Sequence, residues 1–288
     1  MPVIEKILFP VDFSSSSIAM APYVKRGSTM LGAKVSMVHV VDPASFNVFA
    51  LYSRPLTEML EDYLEMGREK LDSFLTEEFP VDQSERIVTS GDPAAEIARI
   101  AREGRFGLIV MPTHSGYFRQ MLLGSTTAKV LNDADCPVLT SRHAQTIAPR
   151  PLDHREWLCA IGLKHTSEKL LRFASQAAAD ARASVSIIHA VQSTNPDLPI
   201  QLDLKEQIRA VEREIVSRRI GELQRVVGMD ARVRIGVGSV KEALLEAARE
   251  ADADVLIIGR SAQSGSHGRM RDLTYTIVRD SPFPVVSV

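Results

Sequence analysis

Two short segments of this chain combine residue types that suit the binding of an anion. Thr113-His114-Ser115-Gly116 is a small, polar stretch that follows the apolar run ending at Met111. After eight intervening residues (116–123) come Gly124, Ser125, Thr126 and Thr127, which open a segment with helical apolar spacing at Ala128, Val130 and Leu131. A helix start leaves backbone N–H groups unpaired and carries partial positive charge, so it favours phosphate. Glycine there lets the backbone approach the anion closely, and hydroxyls add donors. The same residues admit a plainer reading, in which Ser125 merely caps the helix. Spacing alone does not separate the two.

Other chemistries find less support. His39 and His189 each end a β-branched run, which points to a structural role. His114 could bond a phosphate or a ribose. His143, His154 and His165 lack i, i+4 spacing and a cysteine partner, so no metal site is expected. Ser14–Ser17 opens a helix without the G-x-S-x-G setting of a nucleophile. Neither a GKS/GKT phosphate loop nor a G-x-G-x-x-G after the first strand is present. Cys136 and Cys159 lie in or beside apolar runs and read as buried free thiols. No catalytic residue is expected.

The elements that must position these residues repeat. Continuous apolar runs at Ile7–Phe9, Val35–Val41, Leu108–Met111 and Val138–Leu139 read as strands covered on both faces. Counterparts stand at Leu158–Ile161, Val185–Ile188, Val255–Ile258 and Val285–Val286. Asp12 and Gly162 align, as do His39 and His189, both pairs 150 residues apart (162 minus 12). Gly91 with Gly238, Pro112 with Gly259 and Pro137 with Pro284 align at 147 (238 minus 91). Constant registration over separated landmarks indicates a duplication, with a loss of three residues between His189 and Gly238.

Helical stripes lie between the strands. Leu56, Met59, Leu60, Tyr63, Leu71, Phe74 and Leu75 form one, Leu204, Ile208, Val211, Ile215, Leu223 and Val226 the other, and both are expected in the core. Asp92-Pro93 marks a helix start, and Ser239–Glu242 has the spacing of a capping box. The expectation is an α/β fold of two repeated doubly wound domains, each a five-stranded parallel sheet with helices on both faces. The domains would span residues 1–143 and 155–288, with a Pro-containing surface linker at 144–154.

With 36 acidic and 34 basic residues, the net charge of −2 argues against a dedicated nucleic-acid binder. No apolar run approaches the ~20 residues of a membrane span, and residues 1–6 do not read as a secretory signal. A cytoplasmic protein is the expectation.

ILFPVDFS at 7–14, HVVD at 39–42, GDPAAEIA at 91–98, PTHSGYFRQMLLGSTTAKVL at 112–131 and DADCPVL at 133–139 together resemble a universal stress protein domain. The likeness covers the first copy and, more weakly, the second. It implies a non-catalytic stress-response protein that binds ATP or a related adenine nucleotide, with Mg²⁺ as a possible companion. The ligand would be surrounded by Pro10, Asp12, Val40, Met111 and Thr113 through Gly116, together with Gly124, Ser125 and Thr126. It also implies antiparallel pairing of Pro137–Thr140 with Pro284–Val288 within the chain, an intramolecular pseudo-dimer, and possible homodimers. The family's loop carries glycine where Pro112 and Ser115 stand here, and it is one residue longer. The second copy has Gly162 for Asp12 and Arg271-Asp272 for Gly124-Ser125. Its Arg260, Arg269 and Arg271 read as a solvated basic face. The alternatives are a nucleotide-free interaction module and a slow ATP hydrolase.

Overall fold

Apolar runs too short for buried helices alternate with amphipathic segments along the chain, and within each copy these become alternating strands and helices. The computed structural model describes residues 4–46, 55–113, 123–142, 144–191, 202–260 and 272–288, with backbone alone at 202–209 and 272. The first copy comprises β1 (Lys6–Pro10), α1 (Ser15–Leu31), β2 (Lys34–Val41), α2 (Leu56–Ser73), β3 (Glu85–Ser90), α3 (Pro93–Glu103), β4 (Leu108–Pro112), α4 (Ser125–Asp133) and β5 (Val138–Ser141). The second comprises β6 (Glu156–Ala160), α5 (Ser167–Ala181), β7 (Ser184–Val191), α6 (Leu202–Val227), β8 (Arg232–Val237), α7 (Val240–Glu250), β9 (Val255–Ile258), α8 (Asp272–Asp280) and β10 (Val285–Ser287).

All ten strands form one sheet in the order β3-β2-β1-β4-β5-β10-β9-β6-β7-β8. Pairing is parallel within each copy. Where the copies meet it is antiparallel, with Val285 opposite Thr140, Val286 opposite Leu139 and Ser287 opposite Val138. Side chains alternate faces along each strand, and both faces are buried. Ile7, Phe9, Leu108 and Val110 share one core layer with Trp157, Cys159 and Ile257, under α1 and α5. Leu8, Ile109 and Met111 share the opposite layer with Leu158, Leu256 and Ile258, and it also holds Val130 and Leu131 of α4 with Ile277 and Val278 of α8. Each layer therefore runs unbroken across both copies.

The duplication extends to backbone strain. Phe13 and Leu163 adopt φ of 61° and 51°, and Arg105 and Asp252 adopt 53° and 50°. Gly32 and Arg182, which end α1 and α5, adopt 63° and 52°. These pairs keep the two registers found in the sequence, so the left-handed turns persist even where the residue is not glycine.

The segment between the copies is exposed yet tied down. Tyr23 donates to the Ile147 carbonyl at 2.7 Å, and Arg26 donates to the carbonyls of Arg150, Pro151 and His154. The Arg26 guanidinium also pairs with the buried Asp254 of the second copy at 2.6 Å. Burial pushes the Asp254 carboxyl above the ordinary range, against the opposing pull of Arg26.

Three expectations about helices need correction. On α2, Met59 and Leu71 are buried, but Leu56 and Tyr63 are exposed, Tyr63 lying on the Phe46 ring at 4.5 Å. On α6 the inward stripe is Val216, Ile220, Leu223 and Val227, packed with the core. Val211, Ile215 and Val226 are exposed because, at about 100° per residue, they lie on the far side of the helix from Ile220. Leu204 and Ile208 lie among residues whose side chains are not described. Ser239 does precede α7, but its side chain makes no cap hydrogen bond, whereas Asp92 accepts from the N–H groups of Ala94 and Ala95 at 3.0 Å.

A left-handed helix end disfavours a residue with a Cβ by ~1–2 kcal/mol. Arg182→Gly is therefore expected to raise stability by about 1 kcal/mol and Gly32→Arg to lower it by a similar amount. Denaturant midpoints of the two variants provide the check.

Candidate functional site

In the order β3-β2-β1-β4-β5, the chain reverses its direction of progress between β1 and β4. Crevices at such a switch point, beyond the carboxyl ends of the strands, are where open α/β sheets bind ligands. A cavity of about 160 Å³ lies at that place. Pro10 at the end of β1, Asp12 just beyond it, Val40 near the end of β2, Met111 of β4 and Thr126 in the first turn of α4 all line it. Five of the residues singled out in the sequence thus meet in one hollow.

Thr113, Gly124 and Ser125 are not part of its lining. Thr113 is buried and acts as a strut: its N–H donates to the Ser141 carbonyl at 3.3 Å and its carbonyl accepts from Gly124 N at 2.8 Å. Gly124 is the N-cap of α4, with no side-chain cap bond, and Ser125 is the first helical residue. Ser125 is therefore not the cap. His114, Ser115 and Gly116 lie outside the described residues.

Sequence reasoning overlooked part of the wall. Pro93 and Ile97 of α3, with Val11, Val38 and His39, make most of it apolar. The Asp92-Pro93 helix start was a usable signal, because a helix beginning beyond the end of β3 must overhang the crevice. Thr127 also lines the cavity, and its hydroxyl donates to the Pro112 carbonyl at 3.0 Å. Pro112 has no N–H to offer a ligand. This bond occupies its carbonyl and ties α4 to β4.

Asp12 is held in place by its own turn. Its Oδ1 accepts from Ser14 N at 3.0 Å, from the Ser14 hydroxyl at 2.5 Å and from the Ser17 hydroxyl at 2.6 Å. The serine run thus works as an aspartate cradle, and Ser14 also caps α1 through the N–H of Ser17. On the outer side of the site, Lys129 of α4 reaches the Asp92 carboxylate at 2.8 Å. That bond and the backbone N–H groups hold Asp92 below the usual carboxylate range.

The two strand-end histidines behave alike. His39 Nδ1 lies 2.9 Å from the Val11 carbonyl, and His189 Nδ1 lies 2.8 Å from the Ile161 carbonyl. Burial raises the thiols of Cys136 and Cys159 to about 11 and about 12, which leaves them protonated and unreactive at neutral pH. Among the described residues no cluster of His, Cys, Asp and Glu could hold a metal, and no helix is long and apolar enough to cross a membrane.

The second copy differs at the equivalent places. Gly162 stands for Asp12, and α8 begins at Asp272 where α4 begins at Ser125. Arg269 and Arg271 lie outside the described residues. Arg260 is not on a solvated face. It is 7% exposed, and its Nη1 donates to the carbonyls of Leu131 and Ala134 at 2.7 and 3.0 Å while its Nη2 donates to that of Cys136 at 2.7 Å.

His39→Leu and His189→Leu are each expected to destabilise the protein by about 1–2 kcal/mol, since each leaves a strand-end carbonyl without its donor. Comparable losses in thermal or chemical denaturation would identify the histidines as architecture. Unchanged stability in both variants would overturn that structural assignment.

Comparison with known proteins identifies the family and the fold. The profile of the universal stress protein family matches residues 4–142 and again residues 155–288. Universal stress protein MJ0577 of Methanocaldococcus jannaschii is 27% identical over 150 residues, which are 47% of this chain and 93% of the relative. Universal stress protein MJ0531 of the same organism is 32% identical over 139 residues, 47% of this chain and 80% of the relative. The crystal structure of a universal stress protein from Archaeoglobus fulgidus aligns over 98% of this chain and 97% of its own, with a TM-score of 0.67 at 20% identity, a likeness of fold. With two profile matches that together span nearly its whole length, the chain belongs to the universal stress protein family.

Proposed function

We propose that this is a stress-response protein whose first copy binds ATP or a related adenine nucleotide without turning it over, in the cytoplasm. The observation that carries the reading is the meeting, in one hollow, of an apolar wall, a held carboxylate and an open helix start. Val38, Val40, Pro93 and Ile97 suit the faces of a base. Asp12 suits ribose hydroxyls, which donate to carboxylates. The first turn of α4, capped by a glycine that takes up none of its N–H groups with a side chain, suits a phosphate. The nucleoside end fits the described residues best, and the phosphate end would draw on residues 114–116 as well. Mg²⁺ would accompany a triphosphate and offset its charge. Asp12 is the sole carboxylate on the described wall, and it faces the nucleoside end, so no base for activating water is in view.

The second copy then serves as an intramolecular pseudo-partner, with Gly162 and Asp272 unsuited to a triphosphate. The exposed Val211, Ile215 and Val226 on α6 give a homodimer a surface to use.

Calorimetric titration of the full chain with Mg·ATP is expected to show one site per chain. Gly124→Asp, which places a carboxylate at the helix start, is expected to weaken binding by about tenfold or more, and Asp12→Ala by about tenfold. AMP and cyclic AMP titrated in parallel would rank the phosphate contribution. No heat from wild type at millimolar ATP would overturn the reading in favour of a nucleotide-free interaction module. Phosphate release that Asp12→Ala abolishes would overturn the non-catalytic part.

A further inference from the structure

The helix that opens onto the cavity is held at both ends by the other copy. At its start, the N–H of Leu123, one residue before the Gly124 cap, donates to the Tyr275 hydroxyl of α8 at 3.3 Å. At its finish, the Arg260 guanidinium donates to the carbonyls of Leu131, Ala134 and Cys136, which close α4 and lead into β5. We propose that Arg260 and Tyr275 are positioning residues for the nucleotide site, through which the second copy fixes the placement of α4 in the first. This rests on the nucleotide reading above.

Three observations carry it. The first is the cost of the contact. Burying a guanidinium is unfavourable unless its donors are met, and an apolar contact between copies would stabilise at least as well. What Arg260 adds is direction: three carbonyls at set angles fix where the helix ends, and a cation suits the negative end of the helix dipole. The second is how Arg260 is itself held. Its N–H donates to the Val288 carbonyl at 2.8 Å, and Val288 N–H donates to Ile258 at 2.9 Å, so its backbone sits on the strands nearest the junction of the copies.

The third is asymmetry. In a two-fold pair every contact across the junction would occur twice. Here the residues equivalent to Arg260 and Tyr275 are Thr113 and Ala128, which supply neither a guanidinium nor a phenol. Among the described residues the hold by a guanidinium and a phenol therefore runs one way, from the copy with Gly162 and Asp272 onto the copy with Asp12 and Gly124.

The test uses the full chain as wild type, Arg260→Met, Arg260→Lys and Tyr275→Phe. Lys241→Met serves as a control that cuts only the tie from α7 to Asp280 of α8, 2.6 Å long in the second copy. Each is measured by Mg·ATP titration, thermal melting and amide hydrogen exchange. Arg260→Met is expected to weaken ATP binding about tenfold and Tyr275→Phe about threefold, with Arg260→Lys between them. Exchange should rise in α4 and not in α8, and Tyr275→Phe should melt no lower than Lys241→Met, which keeps wild-type affinity. Wild-type affinity and unchanged α4 exchange in both Arg260→Met and Tyr275→Phe would overturn the proposal. Should Arg260→Met fail to fold, Arg260→Lys and Tyr275→Phe decide by the same criteria. If wild type binds no nucleotide, the proposed function falls, and α4 exchange alone decides whether the second copy positions the helix.

Discussion

Everything in this molecule depends on three residue pairs between β5 and β10. A five-stranded sheet ending at β5 would present a row of unpaired backbone groups, a template for uncontrolled pairing. The antiparallel match removes that edge from both copies at once. It also aligns the two sheets closely enough that each core layer becomes continuous across them. Buried apolar side chains from one copy then find neighbours in the other, and the join acts as an extension of the core rather than a contact between finished surfaces. Arg26, held by the interdomain segment and paired with Asp254, reinforces the same junction from the α1 side.

Within that frame the two copies have diverged in task while keeping their shape. The left-handed turns persist at Phe13 and Leu163, and at Arg105 and Asp252, although the residue types differ. The histidine bond to the end of the first strand is likewise kept in both. Divergence gathers around the helix after the fourth strand of each copy. In the first copy Lys129 of α4 reaches Asp92 at the start of α3, whereas in the second Lys241 of α7 reaches Asp280 at the end of α8. The same two helices are tied in each copy with the charges exchanged, at the start of α3 and of α7 but about one turn farther along α8 than along α4. Near neighbours can be rewired in this way because the sheet beneath them sets the spacing.

Much of this was legible in the sequence. The two registers locate the duplication and its three-residue loss, and the continuous apolar runs locate the central strands, because burial on both faces leaves no polar alternation to mask them. The edge strands β3 and β8 were implied by count alone. Their sequences, ERIVTS and RVRIGV, are half-exposed and mix charge with apolar residues, so periodicity does not single them out. Of the α6 stripe, Leu223 does turn inward, but Val211, Ile215 and Val226 were assigned to the wrong face because they are as apolar as the residues that pack on the core. Asp12, Val40 and Thr126 could be placed in the site because topology decides where strand ends lie. Arg260 could not be placed. It sits beside a glycine-rich basic stretch, and its partners are backbone carbonyls 124 to 129 residues away, which leave no trace in side-chain pattern.

The antiparallel match between β5 and β10 also limits how many repeats can share one join. In a parallel stack each unit leaves a fresh edge for the next, and arrays of any length can grow. Here each repeat offers its last strand, and each last strand is consumed by the other. A third repeat would find only β3 or β8, strands that play a different part in their own units. The join between last strands is thus closed by two repeats.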